Sequence, residues 1–136
     1  MRVLSYLVVG VLVASSSLVA SDMAEKLFVE KCAVCHSLQK KEFSEMVAPP
    51  ARGVMFHMNN AFSSKEKMKE HIVDFVMNPS EDKAICKSIK RFGLMPSQKG
   101  AISNNELDIV ADWMIVNLSM SEAEHRANQK KHQKSK

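Results

Sequence analysis

The chain has 136 residues, a formal net charge of +4, three cysteines, four glycines and 6% aromatic residues, a length that suits one domain with one modest core. The charge is placed unevenly: Ser21 to Met120 carries 13 basic and 13 acidic residues, and the excess sits in Arg2 and beyond Met120. A basic tail on a neutral body, without interleaved stacking aromatics, argues against nucleic-acid binding, and an odd cysteine count argues against a disulfide framework.

The N-terminus differs in kind from the rest. Met1-Arg2 is followed by an apolar run from Val3 to Ala14 and by the small residues Ser15-Ser16-Ser17-Leu18-Val19-Ala20, the three-part pattern of a secretory signal peptide. An uncleaved membrane anchor is the alternative, because Val3 to Ala20 nearly reaches the length of a bilayer span. The serines and the short apolar stretch favour cleavage near Ala20. The domain is exported on either reading, and is membrane-attached only if this segment is retained. Three regions result: a leader over 1–20, a domain over 21–118 and a basic, flexible tail over 119–136.

Helix signals dominate and no period-two strand stands out, so the fold is expected to be all-α. A first helix is predicted from Ser21 or Asp22, with Glu25 at capping-box distance from Asp22, and with Ala24, Leu27, Phe28 and Cys32 on one stripe. It leads into Cys-Ala-Val-Cys-His at 32–36. From His36 to Ser63, with Pro49-Pro50, Gly53 and two adjacent asparagines, the expectation is loop with one short helix, and a loop that long is usually functional.

Ser63 to Glu66 reads as a capping box opening a helix with Met68, Ile72, Phe75 and Val76 on its apolar face, stopped at Asn78-Pro79. Ser80 is expected to cap a further helical stretch through Ile85 and Ile89 to a left-handed stop at Gly93. Ser103 to Glu106 is another capping box, followed by Leu107, Val110, Ala111, Met114, Ile115 and Leu118 at helical spacing, the strongest periodic signal in the chain. From Ser119 the apolar pattern ends and a frayed or disordered tail is expected.

Cys32-x-x-Cys35-His36 admits three chemistries. A thiol redox pair sits at a helix N-terminus after a strand, whereas here a helix precedes it. Structural zinc takes four ligands, usually from two pairs, and the only other thiol is the isolated Cys86. Haem attachment takes two thiols one helical turn apart, for thioethers to two vinyl groups, and an adjacent histidine for iron. All its parts are present, and context favours it over zinc or thiol chemistry.

The sixth iron position has several candidates. Met68, Met77 and Met114 fall in helical patterns and read as core. Met95 lies between the Gly93 stop and Pro96, where proline rigidity can hold a thioether at fixed reach. His71, among Lys and Glu neighbours, reads as a solvated residue, while His57, beside Met55 and Met58, remains a rival to Met95. Cys86 reads as a small buried hydrophobe on a helix with Ile85 and Ile89, or alternatively as the donor of an intermolecular disulfide.

These residues resemble the class I c-type cytochromes, small single-haem electron carriers, over nearly the whole of the mature domain. LFVEKCAVCHSL (27–38) is similar to the family's first helix, in which an aromatic, here Phe28, packs on the last helix. APPARGV (48–54) resembles the loop whose proline carbonyl accepts a hydrogen bond from the proximal histidine, with Pro49 the better match. GLMPS (93–97) resembles the loop whose methionine sulfur binds iron. ELDIVADWM (106–114) resembles the closing helix, with Trp113 meeting the first. The 59-residue separation of His36 and Met95 is in keeping with the family. Ala24 stands where the family often has glycine, and Cys86 has no counterpart.

The resemblance implies a cytochrome c fold of three to five helices around one covalent haem c. Its attachment would be through Cys32 and Cys35, with iron held by His36 and Met95 and with Pro49 as hydrogen-bond partner. With both axial positions filled, the implied role is one-electron transfer in the periplasm, not enzymatic turnover. The partners would be respiratory reductases, oxidases or dehydrogenases, met through a pool of basic side chains that includes Lys31, Lys40, Lys41, Lys87, Lys90 and Arg91. The competing functions are a haem c enzyme or gas sensor with a labile sixth ligand, and a membrane-tethered subunit of a respiratory complex.

Overall fold

A computed structural model describes residues 19–39 and 41–134. The leader, apart from Val19 and Ala20, and Lys40 of the basic pool lie outside the described residues, as do Ser135 and Lys136. Six α-helices are described: α1 over 19–31, α2 Ala51–Ala61, α3 Lys65–Met77, α4 Ile89–Phe92, α5 Asn104–Asn117 and α6 Glu122–Lys134, with 3-10 turns at Phe43–Glu45 and Glu81–Lys83. The described residues hold no strand beyond an isolated bridge between Lys99 and Ile102. The fold is all-α. No described helix is long and apolar enough to cross a membrane.

The best-marked helix follows its sequence closely. At α5, Ser103 Oγ accepts from Glu106 N–H, and the Glu106 carboxylate accepts from Ser103 N–H at 2.8 Å, a complete capping box. Leu107, Val110, Ala111, Ile115 and Leu118 are buried, Met114 is packed at the core margin, and Trp113 is buried beside them. Helix α3 lies along α5, where Lys69 Nζ bridges Asp108 at 2.8 Å and Asp112 at 2.7 Å. Phe28 of α1, fully buried, meets Trp113 at 5.3 Å between ring centroids. Ala24, one turn earlier, is also buried, so a methyl group is tolerated where the resemblance suggests glycine.

Several boundaries differ from the sequence expectation. Asp22 does not open α1, which already includes Val19 and Ala20; no Gly or Pro interrupts the run there, so nothing breaks the helix. The cap of α3 is Ser64, which accepts from Lys67 N–H at 3.2 Å, one residue later than the Ser63–Glu66 pairing. Ser80 forms no side-chain cap, and the stretch to Gly93 divides into the Glu81–Lys83 turn and α4.

The expected long loop contains an 11-residue helix, α2. Pro50 is its N-cap, a position that needs no N–H, and Gly53 lies within it. Met55 and Met58 face the core from this helix, with Met68 and Met77 of α3, where the unbranched thioether fills irregular space.

The tail is helical as well. Ser121 and Glu124 form a second capping box, with Glu124 N–H donating to Ser121 Oγ and Ser121 N–H to the Glu124 carboxylate. Helix α6 docks on α2: Arg52 donates to Ser119 O at 2.8 Å and pairs with Glu124 at 3.2 Å, and the His125 ring stacks on Phe56 at 4.0 Å. This contact depends on α2 being a helix, which is why charge content alone pointed to a frayed end.

Candidate functional site

The Cys-x-x-Cys-His segment continues the last turn of α1. Cys32 N–H donates to Phe28 O at 2.8 Å, and His36 N–H donates to Cys32 O at 2.8 Å. The second bond closes a helical turn, so Cys32, Cys35 and His36 are held within one turn of backbone. All three cysteines of the chain are free thiols.

Cys32 is half-buried, and desolvation pushes its thiol up to about 11. It also stands past the C-terminal end of a helix, where the dipole disfavours a thiolate. A thiol redox pair needs the opposite on both counts. Among the described residues, no three His, Cys, Asp or Glu side chains converge as a metal-binding group, whereas haem iron takes only one or two protein ligands.

The His36 ring is oriented from 13 residues away. Its Nδ1–H donates to the Pro49 carbonyl at 2.8 Å, and Ala51 N–H donates to Ser37 O at 3.2 Å, so the start of α2 is tied to the segment carrying the histidine. A carbonyl can only accept, so Nδ1 carries the proton and the Nε2 lone pair is left available as a ligand. Burial holds His36 below its ordinary value, opposed by the Pro49 bond. The ring is therefore neutral at pH 7.

Met95 lies half-buried two residues after Gly93. Gly93 caps α4 with φ +77°, a conformation that L side chains rarely adopt. Downstream, Ser97 Oγ–H donates to Met77 O at 2.6 Å and Gln98 N–H to Val76 O at 3.0 Å, fastening the loop to the end of α3. Ser97 acts across 20 positions, so no local pattern in the sequence marks it.

Three exposed apolar side chains flank these residues: Val34 (73% exposed) between the two cysteines, Val47 (66%) two before Pro49, and Leu94 (40%) next to Met95. Apolar surface is thus displayed on each of the three segments that carry the candidate ligands or their partner.

The rival histidines are engaged elsewhere. His57 stands edge-on to His125 at 5.0 Å and to Phe56 at 5.5 Å. His71 is half-buried between Phe62 at 5.1 Å and Phe75 at 5.9 Å, which corrects its reading as a solvated residue. Cys86 is half-buried, but in a bend rather than on a helix. Arg91, counted among the docking charges, lies over the Phe43 ring and donates to Phe43 O at 2.7 Å.

No protein-family model and no solved structure match the chain. It is similar to an uncharacterized protein of Aquifex aeolicus (strain VF5), 27% identical over 112 residues that span 71% of this chain and 74% of that protein.

Proposed function

We propose that the protein is an exported electron carrier of the class I cytochrome c type, with one haem c joined to Cys32 and Cys35 and iron held by His36 and Met95. The observation that carries this reading is the Nδ1–H donation from His36 to Pro49 O. It presents a neutral imidazole with Nε2 as the free ligand atom, immediately after two free thiols one turn apart.

The residues present fit such a group. Cys32 and Cys35 are free thiols, the exposed Val34, Val47 and Leu94 supply apolar surface on the three segments that carry the thiols, Pro49 and Met95, and Ser97 holds the segment that carries the thioether. When bound, haem supplies a single iron-centred electron exchange, its potential raised by methionine ligation.

The chain's own part is to hold both ligands still, so that little rearranges when an electron moves. The Pro49 carbonyl fixes the imidazole's tautomer and raises its basicity. His36 and Met95 would together hold the iron and leave it no position for substrate, which favours a carrier over an enzyme or gas sensor. The proposed setting is the periplasm and the proposed partners are respiratory reductases, oxidases or dehydrogenases.

The test is the optical spectrum of the purified holoprotein in both oxidation states. The weak near-infrared band of methionine-bound ferric haem is expected, and its loss in Met95→Ala. A holoprotein without that band, whose reduced form takes up carbon monoxide readily, would instead indicate a ligand-binding or catalytic haem. Absence of covalent haem would overturn both readings.

A further inference from the structure

We propose that the outward face of α6, carried by Arg126, Lys130 and Lys131, docks the protein on an anionic phospholipid surface. The seating of α6 on α2 decides which face that is. The His125 ring stacks on Phe56 at 4.0 Å and stands edge-on to His57 at 5.0 Å, and Asn128 Nδ2–H donates to Met120 Sδ at 4.0 Å. His125 and Asn128 are half-buried, whereas Arg126, Ala127, Lys130 and Lys131 are exposed. At about 3.6 residues per turn, those four stand about a quarter of a turn or more away from His125.

The charge on that face is not compensated within the chain. Beyond Glu124 the sequence holds five cations and no acidic residue, while Ser21 to Met120 is balanced at 13 and 13. The two carboxylates of α6 lie in its first turn, and both are engaged: Glu122 pairs with Arg126, and Glu124 with Arg52 at 3.2 Å. Among the described residues, no carboxylate pairs with Lys130 or Lys131. Helix α6 lies beyond every segment that resembles the cytochromes, so the face belongs to this chain's own tail.

The chemistry of the face selects its partner. A lasting protein interface buries aromatic or aliphatic anchors at its centre, and here only Ala127 stands between the cations. Lipid headgroups need no such anchor: each Lys or Arg near an anionic membrane surface tightens binding about fivefold. With no apolar stripe to insert, α6 would lie on the headgroups and not among the acyl chains. Such docking needs neither haem nor a retained leader, and would hold the protein at a bilayer even after the leader is cleaved.

The experiment is cosedimentation of the purified full chain with vesicles of phosphatidylcholine alone and with about one-third phosphatidylglycerol, at about 0.05 M and about 0.5 M salt. Partition to mixed vesicles is read relative to neutral ones, so binding through a retained leader, which both share, cancels. Wild type should favour the mixed vesicles at low salt and lose that preference at high salt. Lys130→Gln/Lys131→Gln should weaken the preference by about tenfold or more, while Lys130→Arg/Lys131→Arg, which keeps the charge, should bind as wild type. Lys87→Gln/Lys90→Gln makes the same charge change at exposed positions of the body and should leave partition within about twofold of wild type.

Equal partition of wild type to both vesicles would overturn the proposal, as would wild-type binding by Lys130→Gln/Lys131→Gln or an equal loss in the Lys87→Gln/Lys90→Gln control. A loss in the arginine variant as large as in the glutamine variant would overturn it too, by assigning the effect to structure and not to charge. A tighter complex with polyglutamate or duplex DNA than with mixed vesicles, at matched concentration of charge, would replace the membrane with an acidic protein or a nucleic acid.

Discussion

His36 donates from Nδ1 to the Pro49 carbonyl across 2.8 Å and 13 positions. The acceptor is main chain, so no side-chain substitution removes it; only its placement can be loosened. Pro49→Gly frees the backbone while leaving the carbonyl. The expected outcome is faster solvent exchange of the His36 Nδ1 proton, followed by proton NMR, together with stability lowered by about 1 kcal/mol from the added freedom of the unfolded chain. Exchange unchanged from wild type would show that the surrounding fold, not the proline, sets the carbonyl.

Phe28 is fully buried against Trp113 and joins α1 to α5. Phe28→Ala removes a core aromatic and leaves a cavity, at a cost of about 4 kcal/mol, a large share of a small domain's stability. Urea unfolding should show the midpoint falling by most of its range, and Phe28→Leu should recover much of the loss.

The capping box at Ser103 predicts a smaller, local effect. Ser103→Ala should cost about 1 kcal/mol, read as a reduced unfolding midpoint with the denaturant slope unchanged. A loss several times larger would mean that Ser103 does more than start α5.

Arg52 joins α2 to α6 through Ser119 O and Glu124. Arg52→Ala should raise hydrogen exchange across 122–134 while leaving α3 and α5 protected. Its effect on global stability should be below about 1 kcal/mol, because the pair is solvent-exposed. Protection in 122–134 equal to wild type would place the docking of α6 in the Phe56–His125 stack instead.

Acid should destabilise the protein in two stages. His57 and His71 are held below their ordinary value of 6.5 chiefly by burial, with His125 adding to the shift at His57 and Asp74 opposing it at His71. The unfolded chain therefore takes up these protons first, and stability falls as pH drops below about 6.5. The carboxylates of Glu66, Asp74, Glu106 and Glu124 are lowered by hydrogen bonds, so their contribution, present above their unfolded values, is lost at more acidic pH. Urea midpoints measured from pH 8 to pH 3 should show both stages, and His57→Gln should diminish the first alone.

Much of the molecule is legible in the sequence because it depends on residues close together in the chain. The α5 capping box, its apolar stripe, the stop at Gly93 and the grouping of Cys32, Cys35 and His36 are each set within a few positions, where backbone geometry alone fixes neighbours. The all-α class follows from those same local periods.

What only the tertiary structure decided involves partners far apart. The 11-residue extent of the Ala51–Ala61 helix goes with the burial of Met55 and Met58, whereas two prolines before it and a glycine within it read as loop with one short helix whose place and length stay open. Helix α6 has no apolar stripe of its own and depends on Arg52 and Phe56 of α2. Arg91 reads as a surface charge until the fold brings Phe43 under it. The identity of the His36 ring as a neutral donor from Nδ1 likewise exists only once Pro49 is in place, because a tautomer is set by a hydrogen-bond partner and not by the residue's own type.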